Sequence, residues 1–393
     1  MTTSLPREDR IRRALELLRN ETTDKFDDVV EFEPGEFTDP VLAQEERDHI
    51  FGVVPSIVAH SSELAKPNDF MTVTMPRNNL IVVRQKDGGV KAFVNLCRHR
   101  GALLEEKEKG RCRIFSCAYH RWSYDPNGKL RTITRDTTFG DVDRSEHGLI
   151  EVPCEERHGF IWVVDNAKAT IDVASWLGGE MDAILAEYHL DDYVCAKAGG
   201  FDEPTNWKIM QDAFLDGYHI QYAHPNTAGK IIHTNVMAFE DFGRHCRFIA
   251  PRKSIDRFLE EDPGEQRLDK HVTETHFLLP NSTLLRQPDH FQLLTFRPHP
   301  SDPTRSRMEQ RLIVPKVEDS GLEPARWERL WDKNWDILLA VLHSEDFPLL
   351  RESQRGMASA DAGGMMLGRN EVANQVFRRE TRKLLAAGRD AAQ

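Results

Sequence analysis

No stretch of this 393-residue chain approaches the ~18 uninterrupted apolar residues of a membrane span, so no membrane-spanning segment is expected. Cysteine is sparse. Cys97, Cys112, Cys117, Cys154, Cys195 and Cys246 are too few for a disulfide scaffold. Basic residues are outnumbered, 52 Lys+Arg against 64 Asp+Glu, which leaves a net charge of −12. Nucleic-acid affinity rests mostly on Lys and Arg neutralising phosphates, so a nucleic-acid partner is not expected. Met1 to Asn20 is charged and helical in pattern (Ile11, Leu15, Leu18) and lacks the apolar core of a secretory signal, which makes a cytoplasmic location the expectation. A Gly-x-Gly-x-x-Gly nucleotide fingerprint is missing, as is a plant-ferredoxin run of Cys. Repeats and low-complexity tracts are missing too. What remains is 39% hydrophobic and 30% charged, ordinary for a globular chain, and long enough for two or three domains at ~150 residues each.

The strand signals come first. Met71–Thr74, Asn79–Gln85 and Val90–Leu96 are rich in β-branched and aromatic residues, and Asp87-Gly88 supplies the tight hairpin turn between the last two. Leu149–Pro153 and Phe160–Val164 read likewise, and Asp125-Pro126-Asn127-Gly128 is a turn. Composition changes near Ala167–Trp176. Residues 205–223 read as helix, and strands recur at His276–Leu279, Phe291–Phe296 and Met308–Val314. Trp327, Leu330, Trp331, Trp335 and Leu338 mark one face of a helix between Glu323 and His343, and a basic helix covers Glu371–Ala387. The expectation is an α+β chain: an N-terminal helical extension over 1–40, an antiparallel β domain over 41–166, and a mixed domain over 167–393.

Two Cys-His pairs carry the first chemistry. Cys97-Arg98-His99 ends one strand, and seventeen residues separate His99 from Cys117-Ala118-Tyr119-His120. Two thiolates and two imidazoles can enclose a tetrahedral zinc ion. Zinc fingers, however, pair Cys with Cys and His with His, whereas each pair here mixes the two. That suits a [2Fe–2S] cluster in which Cys97 and Cys117 hold one iron and His99 and His120 the other.

A second group follows Asn206-Trp207-Lys208: Asp212, Asp216, His219 and His224. Five residues apart, His219 and His224 do not share a helix face, so His224 is expected just past the helix end, before Pro225, where the backbone can turn its ring back. Two neutral imidazoles and one carboxylate make a facial triad for Fe(II), with three positions left open.

The first pattern resembles the Rieske proteins, and within them the oxygenase branch. Where the respiratory branch carries an extra Cys in each loop, this chain has Ala102 and Tyr119, and Trp122 stands in place of a Ser that hydrogen-bonds cluster sulfur. Fewer hydrogen bonds to sulfur imply a potential toward the low end of the Rieske range. Arg121 departs from the Gly usual after the second His. Asp216, His219 and His224 reproduce the acid-x-x-His-x4-His pattern of Rieske oxygenases, in which the two His bind mononuclear iron. The resemblance makes Asp216 the relay to the Rieske cluster of a neighbouring subunit, with Asp212 as its competitor. It draws the third ligand from Ser344-Glu345-Asp346-Phe347, where Asp346 takes the position ahead of Glu345, expected to point about 100° away around a helix, and Asp332.

By the same resemblance the fold joins an N-terminal antiparallel β Rieske domain to a helix-grip-like catalytic domain with an antiparallel sheet and long helices. The implied activity is that of a terminal oxygenase. O2 activated at Fe(II) enters a small, aromatic or otherwise hydrophobic substrate by ring dihydroxylation or monohydroxylation; oxidative demethylation of a methoxy or N-methyl compound is the alternative. Electrons from NAD(P)H would arrive through a separate reductase, with or without a ferredoxin, docking near Arg98, Arg100 and Arg121. A homotrimer is implied, and some relatives add a β subunit. Phe214, Leu215, Gly217, Ile220 and Ile231 are candidate pocket residues, together with Ile232 and Met237, while His233, Arg252 and Lys253 are candidates for a substrate carboxylate. A stand-alone electron carrier ending near residue 165 and a zinc-stabilised interaction module are the competing classes.

Overall fold

The computed structural model describes residues 6–260 and 268–392, so the first five residues of the expected N-terminal helix lie outside it. All sheet pairings are antiparallel. The strand Asn79–Arg84 is buried on both faces and lies at the centre of a five-stranded sheet, flanked by Val90–Val94 and Asp69–Thr74. Its alternation divides the first unit into two layers. Ile81 and Val83 face a side with Phe70, Phe93, Cys97, Cys117, Trp122 and Tyr124. Leu80 and Val82 face Val58, Ile161 and Val163, which come from a three-stranded sheet of Cys154–Arg157, Phe160–Val163 and Ser56–His60. A third small sheet, Phe115–Ser116, Ser123–Tyr124 and Leu130–Thr132, carries the second Cys-His loop. Gly88 and Gly128 take the left-handed conformations that the two expected turns need.

The second unit is built on a seven-stranded sheet in the order 193–203, 306–315, 291–298, 282–286, 272–278, 246–251, 238–241. One face presents Phe248, Phe277, Leu294, Phe296 and Met308 to the helices Trp207–Ala213, Phe347–Met357 and Val372–Ala392. The other face presents Leu278, Leu284, Leu293 and Ile313 to the helix Val173–Glu187 and to Ile57, Phe160 and Trp162 of the first unit. Arg311 fastens the two units, donating to Glu63 (2.7 Å) and to the Val58 carbonyl (2.7 Å).

The described residues before the first unit pack on this second one. Ile11 and Leu15 of the helix Arg7–Arg19 meet Val236, Ala238 and Ile249. Strand Val30–Phe32 pairs with Met365–Leu367. Glu46 accepts from Trp207 Nε1 (2.8 Å) and pairs with the buried Lys208. Among the described residues no helix is long and apolar enough to cross a membrane.

The helix expected over 205–223 is two helices instead. Trp207–Ala213 ends, residues 214–219 turn, and Ile220–Ala223 begins anew. Asp216 causes the break. Its Oδ1 accepts the backbone N–H of Tyr218 (2.7 Å) and of His219 (3.0 Å), giving these donors a partner other than a helical carbonyl.

Candidate metal centres

The two Cys-His loops share one backbone plan. Cys97 N–H donates to the Ala102 carbonyl and Gly101 N–H to the Cys97 carbonyl; Cys117 N–H donates to Trp122 and Arg121 N–H to Cys117, all at 2.8–2.9 Å. Each loop needs a left-handed residue at its fifth position, and these are Gly101 (φ 74°) and Arg121 (φ 60°). Arg121 therefore keeps the loop geometry rather than altering it.

The loops bring all four donors together. Cys97 and Cys117 are buried, and the His99 and His120 ring centroids lie 4.5 Å apart. Trp122 stacks on His99 at 5.0 Å, and Phe139 meets it edge-on. Burial pushes the Cys97 thiol up, while the His99 backbone N–H and the Tyr124 hydroxyl work against that shift. Nδ1 of His99 is buried with no hydrogen-bond partner. An orphaned imidazole nitrogen on one loop, with a buried thiol on each, is a donor set that fits a [2Fe–2S] cluster. Tyr124 was not foreseen from the sequence. Its oxygen accepts the Arg98 N–H (3.0 Å) and lies 3.6 Å from Cys97 Sγ, which as a cluster-bound thiolate can only accept the hydroxyl proton. Cys112 donates instead to the Ile114 carbonyl.

The second centre gathers residues from two distant segments. His224 closes the short helix Ile220–Ala223, just past its end as its spacing implies. Gly229 is required beside it, since a Cβ there would stand 2.7 Å from the His224 carbonyl oxygen. The long helix Pro324–Val341 widens into a π turn at Leu342–Asp346, a local geometry common at functional sites. That turn delivers Asp346, and one donor atom each from His219, His224 and Asp346 lie within 4.8 Å of one another. His219 Nδ1 donates to Asp216 (3.0 Å), and His224 Nδ1 donates to Glu345 (2.6 Å). Each ring thus commits Nδ1 to a carboxylate and leaves Nε2 as the nitrogen a divalent cation can take, with a further carboxylate beside His224. The donor set fits one Fe(II). Burial works against a charged His224, but the Asp346 and Glu345 carboxylates outweigh it and hold its pKa above the usual imidazole value.

The other candidates sort out plainly. Asp332 is exposed and pairs with Lys197 (2.6 Å), away from the centre. Glu345 does not point away, contrary to expectation; it takes the opposite nitrogen of the same imidazole that Asp346 faces. Asp212 is half-buried and paired with Arg378, and its desolvation pushes its pKa up to about 6.

A cavity of about 240 Å³ reaches Asp216, His219 and Asp346, with Ile209, Leu350 and Met357 in its wall. The apolar residues proposed from sequence are not among those lining this cavity. Leu215 is fully buried, Phe214 stacks on Phe296, Gly217 abuts Met237, Ile220 is half-buried and Ile231 is exposed. Of the residues considered for a substrate carboxylate, His233 bonds Asp256, Lys253 donates to the Gly229 carbonyl and Arg252 to Gln287.

Comparison with known proteins agrees with this division. Residues 55–143 match the Rieske [2Fe-2S] domain model, and residues 186–387 match the catalytic-domain model of ring hydroxylating alpha subunits. The anthranilate 1,2-dioxygenase large subunit of Acinetobacter baylyi is 32% identical over 202 residues, covering 50% of this chain and 43% of that one. The glycine betaine monooxygenase oxygenase subunit of Chromohalobacter salexigens is 26% identical over 363 residues, covering 82% and 78%. The chain spans about half the length of several other curated relatives, among them carnitine monooxygenase oxygenase subunits. The crystal structure of the quaternary ammonium Rieske monooxygenase CntA with L-carnitine superposes with a TM-score of 0.74 at 20% identity, covering 98% of this chain and 99% of that one. Naphthalene 1,2-dioxygenase from Rhodococcus gives 0.72 at 17% identity over the same shares. These two likenesses speak to the fold.

Proposed function

This chain belongs to the ring-hydroxylating alpha-subunit family, and on that premise we propose that it is a terminal oxygenase component. It uses O2 and electrons from a separate NAD(P)H reductase to hydroxylate a small organic substrate. The observation that carries this reading is the presence of two donor sets in one chain, the paired Cys-His loops and the His219, His224 and Asp346 group, the second with a carboxylate, Asp216, on one of its imidazoles. When bound, the cluster supplies single electrons and the iron activates O2.

The chain's own residues do the rest. Cys97, His99, Cys117 and His120 hold the cluster, and Trp122 and Phe139 cover His99 from water. Asp216 fixes the His219 tautomer, and as the relay it would present its other oxygen to a cluster histidine of a neighbouring copy. Two apolar surfaces support such a head-to-tail ring of three. Leu103, Ile114, Tyr119 and Phe139 are exposed around the cluster tip; Tyr218, Tyr222 and Leu349 are exposed around Asp216. Exposed Arg100 and Arg121 add positive charge at the tip, suited to an acidic electron donor such as a ferredoxin.

Apolar walls beside His219 and Asp346 suit a small, largely hydrophobic substrate, with ring dihydroxylation or monohydroxylation as the outcome. Oxidative demethylation of an N-methyl compound is the second reading, favoured by the long match to a glycine betaine monooxygenase.

The test is made on anaerobically purified protein. Inorganic sulfide, a low-average-g resonance on reduction and iron beyond the cluster pair are expected. A panel of aromatic acids, hydrocarbons, methoxylated and N-methylated compounds, supplied with a reductase, then identifies the product class. Protein without inorganic sulfide, or with a single iron environment when fully loaded, overturns the reading.

A further inference from the structure

We infer that Glu345, braced by Thr227, is a positioning residue of the mononuclear iron centre, setting the tautomer and donor strength of His224. The inference rests on the iron reading above and extends it to a residue outside the ligand set.

The hydrogen bonds settle the tautomer. Glu345 Oε2 lies 2.6 Å from His224 Nδ1, and an ionised carboxylate can only accept. Nδ1 therefore carries a proton, so Nε2, 3.2 Å from Asp346 Oδ1, is the nitrogen whose lone pair a cation can take. Thr227 Oγ1 donates to the same Glu345 oxygen at 2.6 Å, so the carboxylate is itself held. A partly negative acceptor on Nδ1 pushes electron density toward Nε2 and strengthens its bond to a cation.

The backbone explains how neighbouring residues serve one ring. In a regular helix consecutive side chains diverge by ~100°. Residues 345 and 346 lie in the π turn Leu342–Asp346, and their carboxylates reach opposite nitrogens of His224. The two iron imidazoles are then matched: Asp216 backs His219 and Glu345 backs His224. Asp216 is offered to a second copy; Glu345 spends its contacts on Thr227 and His224 of its own chain.

The experiment measures Fe(II) binding at the mononuclear site of the whole protein, cluster in place, by competition with a chelator and iron assay after desalting. Glu345→Ala should weaken Fe(II) retention about 10–100-fold, the usual cost of losing a partner behind a metal ligand. Glu345→Gln, which keeps an acceptor but not the charge, should recover part of that loss, and Thr227→Val should give a smaller loss in the same direction. The reduced-cluster resonance should be unchanged in all three, which marks them as folded. Wild-type retention in a Glu345→Ala protein with an intact cluster signal overturns this inference alone. A wild-type protein that binds no Fe(II) beyond its cluster overturns the iron reading, and this inference with it.

Discussion

Gly101 and Arg121 occupy the same place in two superimposable backbone loops, one free to adopt its left-handed conformation and the other forced into it. A non-glycine residue there costs ~1–2 kcal/mol. Restoring glycine gives back about 0.5–1 kcal/mol through the flexibility of the unfolded chain. Because the Arg121 side chain is exposed, Arg121→Gly should stabilise the protein by a net ~0.5–1 kcal/mol and raise Tm by about 1–3 °C. Calorimetry of the two proteins checks this; a lower Tm in the variant would show that the arginine makes a compensating contact.

Tyr124 offers its only proton to Cys97 Sγ. Reduction adds negative charge to the cluster, so a hydrogen bond to sulfur favours the reduced form. Tyr124→Phe should lower the reduction potential by roughly 20–60 mV, the one-electron equivalent of a bond worth ~0.5–1.5 kcal/mol. Protein-film voltammetry measures it, and an unshifted or higher potential refutes the role.

Asp216→Asn keeps an acceptor for His219 and removes the charge. Cluster resonance and iron content should persist while turnover falls on the order of 10–100-fold or more. Single-turnover reduction and product assays separate these readouts. Full activity in the variant would remove Asp216 from the electron path.

Two buried histidines set the acid limit of stability. His245 donates to the Trp176 carbonyl through Nε2 and accepts the Leu279 N–H at Nδ1; His276 donates to the Leu284 carbonyl and accepts the Tyr188 hydroxyl. A second ring proton would replace the lone pair that accepts in each case. Burial lowers their pKa values to about 4 and about 3. In the unfolded chain both titrate near 6.5, so their stabilisation is complete above that pH and is lost as pH falls toward 4 and 3. At pH 5 each should cost about 2 kcal/mol. Urea unfolding should show midpoints falling from pH 7 to pH 5, with a shallower fall in His245→Gln; a flat profile in the wild type contradicts the assignment.

Local patterns with a single physical cause were legible in the sequence. Alternating β-branched residues, the Asp87-Gly88 turn and the mixed Cys-His pairs each translate directly into the hairpin and the cluster loops. His224 past a helix end was readable because five-residue spacing fits no helix face. Features that depend on competition were not. Whether residues 214–219 continue a helix turns on one side chain, Asp216, taking two backbone donors. The π turn at 342–346 leaves no mark in apolar periodicity, so Glu345 was assigned a direction that holds only for a regular helix. Tyr124 carries no mark of its role in the sequence, because its hydroxyl partners lie on another loop.

The pairing of Val30–Phe32 with Met365–Leu367 has a consequence for biogenesis. A ribosome releases the first of these strands long before it makes the second, and the whole cluster-bearing unit is synthesised between them. The unit with the two Cys-His loops can thus compact while its host remains open, its early strand still waiting for a mate. Closing so distant a contact is slow, so the first unit has time to collapse around those loops before the second half shuts.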